Sequence, residues 1–352
     1  MTPLHRPRSV RDADVGGKRV LVRVDFNVPL EDGRVADDTR IRAALPTLEL
    51  LLERGAAELV LVSHLGRPKG PDSALSMEPV RVRLGELLPD ERVRLLENTR
   101  FDPREKANDP EYARELAAHG EIFVNDAFGS AHRAHASTEG VARLLPAYAG
   151  LLLVRELEEL GSLLEDPERP FVAVLGGAKV EDKIGVLESL AAKAETILVG
   201  GKMAEELGSG VPIPGPAEVL LPLDVVAAER FEADAEATVA RVEETPPGWL
   251  ALDIGPETRE RFASRIAGAG TVFWNGPMGV FEWPRFAEGT KAVAEAVAEA
   301  DARTVVGGGD SVRAVEELDL ADRIDWISTG GGASLELLEG RQLPGVVAIP
   351  EA

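Results

Sequence analysis

Arg40, His64, Arg67, Arg100 and Arg133 are the side chains of this 352-residue chain with the most chemistry to offer as a group. Each comes shortly after an apolar run of strand type. Four guanidiniums and an imidazole gathered in one place would hold a compact, multiply charged anion. A second stretch, Phe171-Val-Ala-Val-Leu-Gly-Gly-Ala-Lys-Val-Glu-Asp-Lys183, reads as strand, glycine turn and helix, with helical spacing from Val180 through Ile184, Leu187 and Leu190. That order puts backbone N–H groups and a helix N-terminus at a strand's carboxyl end, where phosphate binds. Lys179 and Lys183, four apart, would share one face and suit a polyphosphate. An ordinary tight connection with solvated lysines accounts for the same residues equally well.

Four more glycine-rich ends follow: Gly200-Gly201-Lys202, Asn275-Gly-Pro-Met-Gly279, Gly307-Gly-Gly-Asp-Ser311 and Ser328-Thr-Gly-Gly-Gly332. Glycine lets backbone approach a ligand closely. Arginine-rich ends in one half and glycine-rich ends in the other suggest two ligands, and a phosphoryl transfer between an anionic acceptor and a nucleotide. Such a reaction needs positioning and charge stabilisation more than a covalent nucleophile. It is neither a Walker A site, because Met203 follows Gly201-Lys202, nor a protein-kinase site, because His132-Arg133 lacks the following Asp.

The elements that must position these residues alternate. In the first half, strands are expected at Arg19–Val24, Glu58–Val62, Arg92–Leu96 and Glu121–Val124, and helices from Thr39 toward Gly55, at Met77–Leu87 and at Pro110–His119. Thr39 or Asp38 is the expected N-cap of the first helix. In the second half, strands are expected at Phe171–Leu175, Thr196–Val199, Glu218–Leu221, Thr271–Trp274, Thr304–Val306 and Ile324–Ile327. The alternation implies α/β architecture: two doubly wound, Rossmann-like parallel-sheet domains with a cleft between them. Leu151–Leu164 reads as a long joining helix, with Glu156, Glu158 and Glu159 on its solvated face. Residues 1–150 would form the first domain, with the tail 340–352 packed on it. Residues 151–339, including the joining helix 151–165, would form the second.

Composition narrows the function. Net charge is −22, and it is unevenly divided: residues 1–150 carry 22 basic and 24 acidic side chains, residues 151–352 carry 17 and 37. Nucleic-acid or anionic-membrane binding is therefore not expected. The acidic half would accept an anion more readily with a metal ion attached. Cysteine is absent, which excludes a disulfide framework and a thiolate site. No stretch reads as a membrane span or signal peptide, so a cytoplasmic monomer is expected. His132 and His135 lack the neighbouring carboxylates or thiolates of a zinc site, and a structural role is expected of His135.

The motifs Arg23-Val-Asp-Phe-Asn-Val-Pro29, Asp38-Thr-Arg-Ile-Arg42, Ser63-His-Leu-Gly-Arg-Pro68, Asn125-Asp-Ala-Phe-Gly129, Gly176-Gly-Ala-Lys-Val-Glu-Asp-Lys183, Trp274-Asn-Gly-Pro-Met-Gly-Val-Phe-Glu282, Gly307-Gly-Gly-Asp310 and Ser328-Thr-Gly-Gly-Gly-Ala333 resemble those of phosphoglycerate kinases, in the family's order. The resemblance implies reversible transfer from 1,3-bisphosphoglycerate to ADP, giving 3-phosphoglycerate and ATP, by direct in-line transfer after domain closure. It implies that Asp25, Asn27, Arg40, His64, Arg67, Arg100 and Arg133 bind the triose. It places Gly176, Gly177, Gly200, Gly201, Asn275, Pro277, Gly279 and Glu282 around the nucleoside, and Lys179 and Lys183 at the nucleotide phosphates. Asp310 would hold the Mg²⁺ of MgATP or MgADP beside Gly308, Gly309 and Ser311. Gly330 and Gly331 would present N–H groups to the moving phosphoryl, with Arg40, Lys179 and Lys183 as the other catalytic groups. The helix Leu151–Leu164 and the Ser328-Thr329 strand end are the expected hinges.

The chain departs from the family pattern in two places. It is short between Leu87 and Arg94, and short again between Ala204 and Pro214, where relatives carry a helical insertion. Lys202 stands where many relatives have Gly, and its ammonium is expected in solvent. Two other readings remain: a nicotinamide-dependent oxidoreductase, although Gly307-Gly-Gly-Asp310 lacks G-x-G-x-x-G spacing, and a non-catalytic nucleotide-binding relative.

Overall fold

Short runs of branched apolar residues make the strands, and polar or glycine-rich residues end them. The structure is a computed structural model that describes residues 4–178, 180, 181, 183–210 and 212–352. By internal contacts the chain divides into two units, Met1–Glu158 with Arg341–Ala352, and Glu159–Gly340.

In the first unit, β1 (Arg19–Arg23), a two-residue hairpin of β2 (Leu30–Glu31) and β3 (Arg34–Val35), α1 (Thr39–Glu53), β4 (Glu58–Val62), α2 (Glu78–Leu87), β5 (Val93–Leu95), α3 (Pro110–Ala117), β6 (Ile122–Asn125) and β7 (Ala147–Ala149) follow in order. The sheet is ordered β5-β4-β1-β6-β7 and every pairing is parallel. Strand order reverses between β1 and β6, so a crevice opens at their carboxyl ends, where such sheets bind ligands. Val20, Val22, Leu59, Leu61 and Val124 form the core against Ile41, Leu48 and Leu51 of α1. The tail joins this unit: Gly345 donates to Ala131 O at 2.8 Å, and Asn125 Nδ2 donates to Gly345 O at 3.0 Å.

α1 starts at Thr39 as expected, but neither Asp38 nor Thr39 caps it through its side chain. Asp37 Oδ1 takes both the Thr39 amide and its hydroxyl, at 2.8 and 2.6 Å. Asp38 is occupied by Arg42 and Arg83 at 2.8 and 2.6 Å. Two paired arginines outcompete a weak cap for one carboxylate.

α4 (Leu151–Glu165) spans the boundary between the units. Its first amides are capped from the first unit: Leu151 N donates to Thr47 Oγ1 at 2.9 Å, and Leu152 N to Asp126 Oδ1 at 2.9 Å. Its acidic face is not solvated as expected. Glu156 is fully buried, Glu159 pairs with Arg303, and only Glu158 is exposed.

Burial raises Asp126 to about 7, outweighing its hydrogen bonds to Thr47, Leu153 and Leu152. A carboxyl whose folded pKa lies above its unfolded value near 3.9 favours the fold at low pH. That contribution is lost as pH rises from about 4 through about 7. Asp126→Asn keeps the acceptor and removes the titration. It is expected to flatten the pH dependence of stability by on the order of 3 kcal/mol between pH 5 and 8. Urea unfolding of both proteins at the two pH values checks this. A wild-type curve that rises over that window contradicts it.

The second unit contains β8 (Phe171–Leu175), α5 (Ile184–Ala191), β9 (Thr196–Val199), α6 (Gly201–Gly208), β10 (Glu218–Leu220), β11 (Asp224–Ala228), β12 (Ala237–Arg241), β13 (Leu250–Ile254), α7 (Pro256–Ala267), β14 (Thr271–Asn275), α8 (Glu288–Glu299), β15 (Arg303–Gly307), α9 (Gly309–Glu317), β16 (Trp326–Ile327) and α10 (Gly332–Leu338). α11 (Pro344–Val347) lies in the tail. The main sheet is parallel, ordered β10-β9-β8-β14-β15-β16, and reverses between β8 and β14. A small antiparallel sheet, β12-β11-β13, stands apart from the expected strands.

Candidate active site

In the first unit, polar residues just past β1 and β4 are locked to one another. Asp25 accepts from Arg40 Nη1 at 2.8 Å. Burial favours protonation of Asp25, but Arg40 and Arg23 overcome it and hold the carboxyl below its usual range. Asn27 Oδ1 accepts from the Gly66 amide at 2.8 Å, and Gly66 O accepts from Arg100 Nη1 at 2.6 Å. Gly66 sits at φ +63°, and a Cβ there would meet Leu75 at 2.8 Å. A side chain at 66 would therefore disturb the Asn27 and Arg100 anchors together.

Arg100 is placed by the 3₁₀ turn Thr99–Phe101, whose cap Asn98 accepts from the Arg100 and Leu65 amides. Its Nε is buried without a hydrogen-bond partner. Burial, then Arg133 and Arg23, push its pKa down to about 10. Arg133 Nε donates to His132 Nε2 at 3.0 Å, and Arg67 is exposed on the loop after Gly66. Arg23, Asp25, Arg40, His64, Arg100 and Arg133 thus share one electrostatic neighbourhood.

His64 does not add a positive charge to the cluster. It is 6% exposed, and burial drives its pKa well below 6.5 despite Asp25. Two buried residues were not foreseen: Arg23, at the end of β1, and Glu105, 0% exposed. A charged residue closing an apolar strand was the available signal for Arg23. Glu97 accepts from Met77 N, Asn98 N and Ser76 Oγ and so ties the start of α2 to the Asn98 turn.

In the second unit, the glycine ends are drawn together at the β8–β14 switch. Gly176 N donates to Asn275 O at 3.0 Å, Gly200 N to Leu175 O at 2.9 Å and Gly201 N to Met278 O at 2.9 Å. A Cβ on Gly176 would lie 2.0 Å from Pro277 O, so only glycine lets these strand ends meet. Ser311 is buried and its Oγ accepts from the Gly276 amide at 2.6 Å, which ties α9 to the same point. Lys183 Nζ donates to Gly176 O at 2.6 Å and Asn275 O at 3.2 Å.

α5 begins at Ile184, not Val180, with Lys183 as its N-cap residue. Val180 N is taken by Glu206 Oε2 at 2.9 Å, so the apolar spacing continues where the helix does not. Lys179 lies outside the described residues. Asp310 is exposed in the first turn of α9, next to Gly308 and Gly309. Asn275 Nδ2 is buried without a partner and lies 2.8 Å from where a Gly308 Cβ would be. An orphaned donor beside a helix N-terminus is suited to an anionic oxygen. Among the described residues, no group of three His, Cys, Asp or Glu could hold a metal. Asp310 offers one exposed carboxylate beside Gly308 and Gly309, a donor suited to a hard cation that arrives on phosphates.

Gly330 N donates to Ser328 Oγ at 3.2 Å, and Gly331 is the N-cap residue of α10. Gly279 lies against Asp253, where a Cβ would come within 2.3 Å of Oδ1. Glu282 pairs with Arg313 at 3.0 Å, and Arg313 covers the Phe281 ring at 4.4 Å. Lys202 is exposed. A cavity of about 300 Å³ lies within this unit, lined by Gly201, Ala204, Leu221, Trp249, Asp253 and Met278. Leu221 and Trp249 were not among the expected site residues. Trp249 comes just before β13, an element the sequence did not disclose.

The phosphoglycerate kinase family model matches residues 10–94, 86–209 and 215–341. The phosphoglycerate kinase of Roseiflexus castenholzii is 53% identical over 393 positions, covering 98% of this chain and 99% of the relative. That of Rubrobacter xylanophilus is 55% identical over 386 positions, with 98% of each covered. Both alignments run longer than the 352 residues here, so the relatives carry segments this chain lacks. Among solved structures, the Coxiella burnetii phosphoglycerate kinase superposes with TM-score 0.88 at 37% identity, covering 97% of this chain and 98% of that one. The Pyrococcus horikoshii phosphoglycerate kinase gives TM-score 0.83 at 30% identity, with the same coverage.

Proposed function

The chain belongs to the phosphoglycerate kinase family and is a nucleotide-dependent kinase of phosphoglycerate, and we propose that its two units divide the substrates between them. The family assignment does not favour the oxidoreductase reading. The observation that carries the division is the contrast between the two sheet switch points. One is ringed by buried or half-buried guanidiniums. The other is ringed by glycine backbone, the Lys183 ammonium and an orphaned amide donor.

The first unit, Met1–Glu158 with Arg341–Ala352, takes 3-phosphoglycerate or 1,3-bisphosphoglycerate. Arg67, Arg100 and Arg133 supply charge, Asn27 and Asp25 fix the loops, and Arg40 faces the reacting end. The second unit takes ATP or ADP. The nucleoside occupies the cavity beside Gly200, Gly201, Pro277 and Gly279, with Glu282 at the ribose. Gly177, Lys179, Lys183, Gly308, Gly309 and Ser311 form the phosphate cradle, with Asp310 toward Mg²⁺. Bound Mg²⁺ neutralises phosphate charge and orients the terminal phosphoryl. Gly331 presents its amide to the moving group, and Gly330 must first release Ser328. Direct transfer requires donor and acceptor atoms at about 3–3.5 Å, so the two ligands are brought together by closure.

The purified chain is expected to convert MgATP to ADP only when 3-phosphoglycerate is present. Nucleotide binding without turnover would instead make it a non-catalytic relative. Asp310→Asn keeps shape but loses the charge a hard cation needs. It is expected to weaken MgADP binding by about tenfold or more while 3-phosphoglycerate binding stays within about twofold. Separate calorimetric titrations decide, and equal loss for both ligands would make Asp310 structural. No helix among the described residues is long and apolar enough to cross a membrane. A cytoplasmic monomer completes the proposal, and light scattering should return the chain mass of 37.6 kDa.

A further inference from the structure

We propose that Arg23, held by Ser137 and Glu105, is a positioning residue that fixes His64 as a neutral imidazole with its proton on Nε2. The anion site then receives an oriented hydrogen-bond donor from His64 and no cation. This deepens the function proposed above. It rests on that reading for the identity of the ligand, and does not need it for the state of the ring.

Arg23 closes β1 and its side chain is 1% exposed. Its Nη2 lies 3.0 Å from His64 Nδ1. A guanidinium has donors and no acceptor, so the nitrogen facing it must offer a lone pair. A proton on Nδ1 would set donor against donor, and an imidazolium would also set two buried cations side by side. The neutral ring with hydrogen on Nε2 is the form that satisfies the contact.

Arg23 cannot easily turn away. Its Nε donates to Ser137 Oγ at 2.8 Å, Ser130 Oγ is 3.5 Å from Nη2, and Nη1 reaches Val24 O. Ser137 Oγ donates in turn to Glu105 Oε1 at 2.6 Å, and Ser137 N donates to Oε2 at 3.0 Å. Ser137 spends its one proton on Glu105, so its lone pair must face Arg23. Arg23 therefore donates in both directions, to Ser137 and through it to Glu105 on one side, and to His64 on the other. Glu105 is fully buried, and its charge, with that of Asp25, offsets that of Arg23. His135 Nδ1 is 3.8 Å from Glu105, but burial and the neighbouring arginines lower its pKa to about 4, so it adds no competing cation near neutral pH.

The groups facing His64 agree with this state. Burial disfavours its charged form, Asp25 favours it, and Arg23, Arg100 and Arg133 disfavour it. A neutral donor here has a use that a further cation would not. The cluster already holds enough guanidiniums for phosphate charge, and an oriented N–H selects where a ligand oxygen sits.

The test is the ¹⁵N spectrum of the full chain labelled at histidine, with His64 assigned through His64→Gln. Between about pH 6 and pH 8, where an ordinary histidine titrates, His64 is expected to keep hydrogen on Nε2 and a bare Nδ1. Adding 3-phosphoglycerate should shift Nε2 and leave Nδ1 unprotonated. An imidazolium in that range, or a proton on Nδ1, overturns the proposal. Arg23→Lys supplies a second readout, because a single ammonium cannot reproduce the fork that holds Ser137 and His64 together. In this variant His64 is expected to populate both tautomers, with KM for 3-phosphoglycerate raised about tenfold and kcat changed less. Lower stability with an unchanged tautomer and KM would make Arg23 structural only. If Arg23→Lys does not fold, the wild-type spectrum still decides. A wild-type spectrum as expected, from protein that turns over no 3-phosphoglycerate, supports the locked ring and removes only the assigned substrate.

Discussion

Arg40→Ala is expected to lower kcat by about 10²–10³, the scale of losing one well-placed charge-stabilising donor, while KM for 3-phosphoglycerate moves far less. Arg40 spends Nη1 on Asp25 and is 33% exposed, so its fork is partly occupied and partly open to an incoming group. A contact made mainly in the transition state lowers the barrier without tightening the ground state. Truncation also leaves the Asp25 carboxylate buried with its main partner gone, which typically costs about 3–5 kcal/mol. Kinetics must therefore be measured on protein shown by circular dichroism to be folded. Arg67→Ala is the contrast. It is exposed and sits outside the locked pairs, so its loss should mainly raise KM. If Arg40→Ala keeps near-normal kcat and raises only KM, Arg40 is one more anchor of the cluster.

Lys183→Ala is expected to lower kcat by a comparable factor of about 10²–10³ and also to raise KM for the nucleotide. Its ammonium bridges Gly176 O and Asn275 O across the β8–β14 switch. In the proposed cycle it exchanges those carbonyls for phosphate oxygens, so one side chain both ties the strand ends together and charges the phosphate site. The site leaves little room for a larger cation, since a Cβ on Gly276 would already lie 2.6 Å from Nζ. Lys183→Arg should therefore rescue poorly. A variant that loses stability but keeps kcat per folded molecule would reduce Lys183 to a rivet between strand ends.

Most of the parallel strands were legible because each is a short apolar run ended by glycine or a polar pair. Glu58–Val62, Phe171–Leu175 and Thr196–Val199 match residue for residue. Elements without that punctuation were missed. β7 has only three residues, Ala147–Ala149, and β12 reads Ala-Thr-Val-Ala-Arg with no buried residue. β11 buries residues on both faces, and β13 lies mid-run after a loop, so neither shows clean alternation. Residue types at the site were legible, but their states were not. Nothing in Ser63-His64-Leu65 reports that a residue 41 positions away would set the ring's protonation. The buried face of α4 was misread for the same reason: Glu159 is paired by Arg303, 144 residues distant. Local sequence indicates which groups are present, while long-range partners decide their charge.

Hydrogen exchange of the full chain, measured with 3-phosphoglycerate alone and with MgADP alone, tests the division of substrates most directly. With 3-phosphoglycerate, protection is expected in peptides covering residues 23–27, 63–67, 98–101 and 131–135. With MgADP, it is expected in peptides covering 176–184, 200–204, 275–282 and 308–311. Protection of the glycine ends by 3-phosphoglycerate, or of the arginine cluster by MgADP, would contradict the account.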